Sequence, residues 1–180
     1  MLDIAARVLT TIFLLSIWGC AERLQSRALS SADVAAKIPL PEAAWPVWSL
    51  RTNGNVIAVG SPSTATVVDP SGRVLFLKQF EQRVSSLDVN SSGRSLAVAL
   101  DTGEIFVFPI FSGTAPVGST VRLTLRYMKV RWIGDTQLLV GGDAGTYLVQ
   151  ADGAREPELL SNGGTTDIWW CEQSQTAYLA

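Results

Sequence analysis

The sequence contains no histidine. That absence removes imidazole as a general base, excludes Ser-His-Asp and Cys-His catalysis, and rules out every metal site that relies on an imidazole ligand. Charge is scarce as well, at 17% of residues against 47% hydrophobic, and no run of basic residues occurs anywhere. With a formal net charge of −2, the chain offers no electrostatic footprint for nucleic acid. Cysteine is limited to Cys20 and Cys171, which lie far apart and match neither a metal-ligand nor a redox spacing. Cys171 reads as a small buried apolar residue in a strand rather than a reactive thiol. The sequence has no EF-hand pattern and no glycine-rich phosphate loop ahead of a helix, so neither metal nor cofactor is expected. Carboxylates spaced to act as an acid/base pair are also missing, which disfavours hydrolysis.

What the chain does have begins with an apolar run, VLTTIFLLSIWG at 8–19, preceded by Arg7 and followed by Cys20. It is shorter than the roughly 20 residues a membrane-spanning helix needs, so residues 1–19 read as a secretion signal. Its end, Ser16-Ile17-Trp18-Gly19-Cys20, resembles the lipobox of bacterial lipoproteins. That resemblance implies a diacylated Cys20, cleavage before it, and a lipid-anchored address in a bacterial envelope, on the periplasmic side or the cell surface. Cleavage after Ala21, an uncleaved anchor and a cytoplasmic helix are the alternatives. Residues 20–46, with Pro39, Pro41 and Pro46 and no aromatic residue before Trp45, read as a tether that cannot bury much.

Beyond the tether the chain repeats itself. Residues 84–108, VSSLDVNSSGRSLAVALDTGEIFVF, hold three strand patterns separated by Asn90-Ser91-Ser92-Gly93 and Asp101-Thr102-Gly103. In each turn a side chain starts the bend, and Gly93 or Gly103 supplies the positive φ that closes it. In the third strand Ile105 and Val107 share one face while Phe106 and Phe108 share the other. A strand apolar on both faces must be covered on both, which is the condition of a sheet stacked between two others. Weaker copies flank it, at 47–80 and 129–161, and a fourth begins at 166–180 and stops. Four-stranded units at a period of about 40 to 50 residues mark a β-propeller. The expected fold is therefore all-β, with antiparallel four-stranded blades at 47–80, 84–127 and 129–161, a partial blade at 166–180, and an incomplete ring. A β-sandwich is the alternative.

The order of first strand, Asn-Ser-Ser-Gly turn, small apolar strand, Asp-Thr-Gly turn and third strand at 84–108 resembles a divergent bacterial WD repeat. Phe108 and Pro109 stand where that family has Trp-Asp, and its Gly-His pair is missing. The resemblance implies a binding and scaffolding role, with ligands meeting the turns between second and third strands and the connections between blades. It points to Ser61, Asp101 and Asp143 in the turns and to Arg83 and Lys129 in the connections. Asp101 and Asp143 also have an ordinary reading as turn initiators. Aligning the first strands on Val47, Val84, Val130 and Ile168 gives a further column, Trp48, Ser85, Arg131 and Trp169. An arginine flanked by tryptophans could receive a carboxylate or aromatic partner.

The expected function is a non-catalytic protein-binding scaffold. A propeller enzyme, either a quinoprotein or a carboxylate-dependent hydrolase, and a truncated non-functional fragment are the rival readings. Three and a half blades fall short of the four or more of closed propellers. Truncation, closure by a second copy, or a strand from the tether would each account for the shortfall. The edge at residues 176–180 is a candidate for self-association. The address can be checked directly. In a bacterial host the mature protein should partition into detergent with acyl chains on Cys20 by mass spectrometry, and Cys20→Ala should abolish both. A cytosolic product with residues 1–19 intact would contradict the signal.

Overall fold

Strand-forming runs alternate with turn residues along the chain, and the computed structural model makes a strand of each run. It describes residues 42, 47, 49–111, 119–171 and 174–180; Cys20, Trp48, the signal segment and the tether apart from Glu42 lie outside the described residues. The chain divides into two units, and of the smaller only Cys171 and residues 174–176 are described. The larger, Ile38–Trp170 with Ala177–Ala180, carries the three four-stranded sheets.

The first sheet contains β1 (Ser49–Thr52), β2 (Ile57–Gly60), β3 (Thr64–Val68) and β4 (Val74–Gln79). The second contains β5 (Val84–Val89), β6 (Ser95–Leu100), β7 (Glu104–Pro109) and β8 (Ser119–Arg122). The third contains β9 (Lys129–Ile133), β10 (Gln137–Gly142), β11 (Gly145–Gln150) and β12 (Glu158–Ser161), and β13 (Ile168–Cys171) pairs with β14 (Thr176–Leu179). Within each four-stranded sheet neighbours follow chain order and pair antiparallel. These are propeller blades, and the described strands form no closed ring. A β-sandwich would gather its strands into two facing sheets, whereas the described strands make three successive four-stranded sheets and a pair, each in chain order.

Both faces of the second sheet are buried. Leu87, Val89, Leu96, Val98, Leu100 and Phe108 pack with Val56, Ala58, Ala65 and Val67 of the first sheet. Ala97, Ala99, Ile105 and Val121, from the opposite face, pack with Val130, Trp132, Leu138, Val140 and Val149 of the third. The alternation of Ile105 and Val107 against Phe106 and Phe108 thus divides the two cores, because successive side chains of a strand point to opposite faces. Phe76 and Phe108 meet at 5.2 Å between ring centroids, and Phe106 stacks beside Phe108 at 5.9 Å. Such pairs add about 0.5–1.5 kcal/mol each beyond the area they bury.

The turns are bonded as their residues suggest. Asn90 Oδ1 accepts from the N–H groups of Arg94 and Ser95, both at 2.9 Å. Turns of neighbouring sheets are also tied to one another. Asn53 Nδ2 donates to the Asn90 carbonyl at 3.2 Å, and the Ser92 N–H donates to Asp135 Oδ1 at 3.1 Å. Cys171 is buried in β13 as expected, but it is disulfide-bonded, which corrects its reading as a simple apolar residue.

Gly93 and Gly103 have φ of 71° and 94°. A Cβ on Gly93 would sit 2.7 Å from the amide nitrogen of Asn53, a side-chain end that can move. On Gly103 it would collide with the backbone carbonyl oxygen of Leu123, which has no such freedom. Gly93→Val should therefore cost about 1–2 kcal/mol, and Gly103→Val about 3 kcal/mol or more, in denaturant melts. Equal losses in the two variants would contradict the backbone clash at Gly103.

Candidate functional site

With the strands occupied by packing, the turns and connections at one end of the sheets remain to build a surface. The connection before β5 is held to the first sheet, where the Val84 N–H donates to the Pro62 carbonyl at 2.9 Å. It is held to the second as well, because the Asp101 N–H donates to the Arg83 carbonyl at 2.9 Å. The connection before β9 repeats the device. The Asp143 N–H donates to the Arg126 carbonyl at 3.3 Å, and the Arg126 N–H returns a bond to Asp143 Oδ1 at 2.8 Å. After β12, the Thr165 N–H donates to the Gly142 carbonyl at 2.8 Å, and the hydroxyls of Thr165 and Thr146 meet at 2.6 Å.

These fixed segments enclose a cavity of about 560 Å³ lined by Arg83, Ser85, Asp101, Tyr127, Lys129, Asp143 and the Thr165-Thr166 pair, among others. Four residues expected from the sequence, Arg83, Asp101, Lys129 and Asp143, thus come together from two successive repeats. Arg83 Nε lies 3.5 Å from Asp101 Oδ2, an ion pair open to water on both sides. Tyr127, Thr165 and Thr166 were not legible in the sequence. Tyr127 is 71% exposed and has a φ of 54°. For a bulky residue that conformation is an outlier, imposed here by the tight connection between β8 and β9. Ser61 is not at the cavity; it is buried, and its N–H closes the turn by donating to the Thr64 carbonyl at 2.9 Å.

The column of first-strand residues needs a change of register. Gly60, Ala99 and Gly141 each face the second residue of a third strand, namely Ala65, Ile105 and Thr146. On their other side they pair with Ser49, Ser86 and Lys129. Two residues further on, the equivalent positions hold Arg51, Asp88 and Arg131. Ser85 falls out of the column, which lies three residues further along β5; the slip between Val84 and Ser86, a bulge that no residue pattern announces, accounts for one of them and strand register for the rest. Trp48 lies outside the described residues. Arg131 keeps its place: its Nε donates to the Ile168 carbonyl at 3.0 Å, and its Nη2 lies 3.9 Å from Asp167 Oδ1. Trp169 is half exposed on β13 and does not line the cavity.

No protein-family model matches the sequence, and no curated protein matches it. The fold has solved counterparts. The chain is similar to the β-propeller domain of Cps50 (Swd1) from Myceliophteria thermophila, with a TM-score of 0.61 and 16% identity over 74% of this chain and 48% of that one. It is also similar to Hsv2 from Kluyveromyces lactis, with a TM-score of 0.55 and 15% identity over 86% of this chain and 51% of that one. At such identities the likeness concerns the fold alone. The chain spans about half the length of either structure.

Asp88 is the least ordinary ionisable group in the column. Burial pushes its carboxyl above the usual aspartate range, while the Trp132 backbone N–H, Arg131 and Arg51 pull the other way. Its Oδ2 accepts from that N–H at 2.9 Å, and its own carbonyl accepts from Trp132 Nε1 at 3.1 Å, so it joins the second and third sheets. A carboxyl with a raised pKa in the folded state stabilises the fold below its unfolded value near 3.8 and loses that contribution as pH rises through the raised value. Asp88→Asn keeps an acceptor for Trp132 without the buried charge. In thermal melts the variant should gain on the wild type as pH climbs from about 3.8 through that window, then hold a constant lead. If the wild type gains instead, the arginines outweigh burial.

Proposed function

We propose that this chain is a non-catalytic protein-binding scaffold that docks its partner at the cavity between the turn and connection segments. The observation that carries this reading is the convergence of Arg83, Asp101, Lys129 and Asp143 on one cavity beside an exposed tyrosine. Aromatic and arginine side chains dominate the energetics of protein interfaces, and Tyr127 brings both a large apolar surface and a hydroxyl. The two carboxylates already have structural duties, Asp101 toward Arg83 and Asp143 toward the Arg126 N–H. A free acid/base pair for hydrolysis is therefore a poorer description of the site than a polar rim around an aromatic anchor. Scaffolding also suits a rigid frame in which every described connection around the cavity is tied to a neighbouring sheet.

A lipid-anchored envelope address belongs to the same proposal, supported by the apolar run that ends at Cys20. The sequence has no third cysteine, so an acyl thioether on Cys20 and an intrachain disulfide to Cys171 exclude one another in any one molecule. Among the described residues β14 has a single strand neighbour, and its outer edge is offered to a further strand, including one from a second copy.

Photo-crosslinking tests the docking site in the cell. A benzophenone side chain at position 127 should yield a discrete protein adduct, and Lys129→Glu should abolish it while leaving the melt cooperative. The same probe at Arg155, away from the cavity, should give none. Adducts of equal yield from both positions, unchanged by Lys129→Glu, would overturn the site.

A further inference from the structure

The column of first strands contains a second polar cluster, independent of the cavity. β5 packs against β1 on one side and β9 on the other, which places Arg51, Asp88 and Arg131 at the same level of three successive strands. Two guanidiniums thus flank one carboxylate. The carboxylate is committed to Trp132, and neither arginine makes a hydrogen bond to it. Arg51 donates only to the adjacent Leu50 carbonyl, at 2.9 Å, and its Nε is buried without a hydrogen-bond partner among the described residues. Arg131 bonds to the carbonyls of Ile168 and Val130, with Asp167 at the long limit of an ion pair.

A guanidinium presents five N–H donors in a fork that matches a carboxylate, and an unpaired buried donor is costly. Here two forks lie close enough that Arg51 opposes the charge on Arg131, and burial raises the pKa of the Asp88 between them. Two guanidiniums thus flank a buried carboxylate that hydrogen-bonds to neither, and the Arg51 Nε has no acceptor among the described residues. We infer that Arg51 and Arg131 form a receptor for a carboxylate ligand, such as an acidic side chain, a chain terminus or a small organic acid. The planar fork suits a planar carboxylate, and the nearby Asp88 carboxylate disfavours anions of higher charge such as phosphate. An incoming carboxylate would give the Arg51 Nε its missing acceptor and separate the two cations electrostatically.

The probe is succinate, titrated into the full chain at constant ionic strength and followed by calorimetry and melting temperature. The wild type should bind it saturably, and more tightly than inorganic phosphate. Arg51→Gln should weaken binding at least tenfold, Arg51→Lys should weaken it less, and Arg155→Gln, on the exposed surface, should leave it unchanged. Arg51 is the informative site because among the described residues its side chain bonds only to the adjacent Leu50 carbonyl, so its loss spares the described bonds between sheets. If Arg51→Gln nevertheless melts early, the arginine Nε–H resonances of wild type provide the readout, and the Arg51 resonance should shift on succinate addition. Absence of saturable binding, equal response of Arg51→Gln and Arg155→Gln, a stationary Arg51 resonance, or phosphate binding as tightly as succinate would each overturn the assignment.

Discussion

Everything in this protein depends on the second sheet being apolar on both faces. Leu96, Val98 and Leu100 on one side of β6 and Ala97 and Ala99 on the other are all fully buried. A lone sheet of that composition would expose two greasy surfaces, so it is stable only when another sheet lies against each. The repeat in the sequence is the solution: each unit brings a neighbour of similar shape, and burial passes from one sheet to the next. The size of the side chains differs between the two interfaces. Phe76, Phe80, Phe106 and Phe108 fill the first, whereas Ala97 and Ala99 leave room for Trp132 and Met128 in the second.

Once the strands are used for packing, the cavity is left to be lined largely by the chain that joins them. The connections are short and bonded on both sides, so the residues they carry hold fixed positions rather than sampling many. Arg83 and Asp101 belong to one unit and Lys129 and Asp143 lie in the next, and the stacking of the sheets sets the distance between them. The same stacking makes the column of first strands half-buried, which is why Arg51, Asp88 and Arg131 feel one another while the ion pair of Arg83 and Asp101 is open to solvent. Two polar sites of different character thus follow from one packing rule.

Strand positions, turn glycines and the double-faced second sheet were legible because they follow from local chemistry: an alternation of two residues, an asparagine that caps its own turn, a glycine where φ must be positive. The placement of Asp101 and Asp143 in equivalent turns was legible through the repeat. The bulge between Val84 and Ser86 was not, and it accounts for one of the three residues that separate Ser85 from Asp88, the other two being strand register. A bulge depends on how the strand meets its partners, and nothing in Val-Ser-Ser itself favours one. Tyr127 was equally silent, since its left-handed backbone is imposed by the connection between two sheets rather than by its own preference.

By itself the sequence determined the class of the fold and the chemistry the chain can deploy: blades of four strands, no imidazole, no basic track, turns that carry acids and connections that carry bases. These are properties of residue type and spacing, and they survive any arrangement of the sheets. Which of those side chains meet was decided only by tertiary structure. Arg51, Asp88 and Arg131 are separated along the chain by whole sheets, and the level at which they face one another is set by strand register. Register is an outcome of many weak pairings acting together, so no single stretch of sequence contains it.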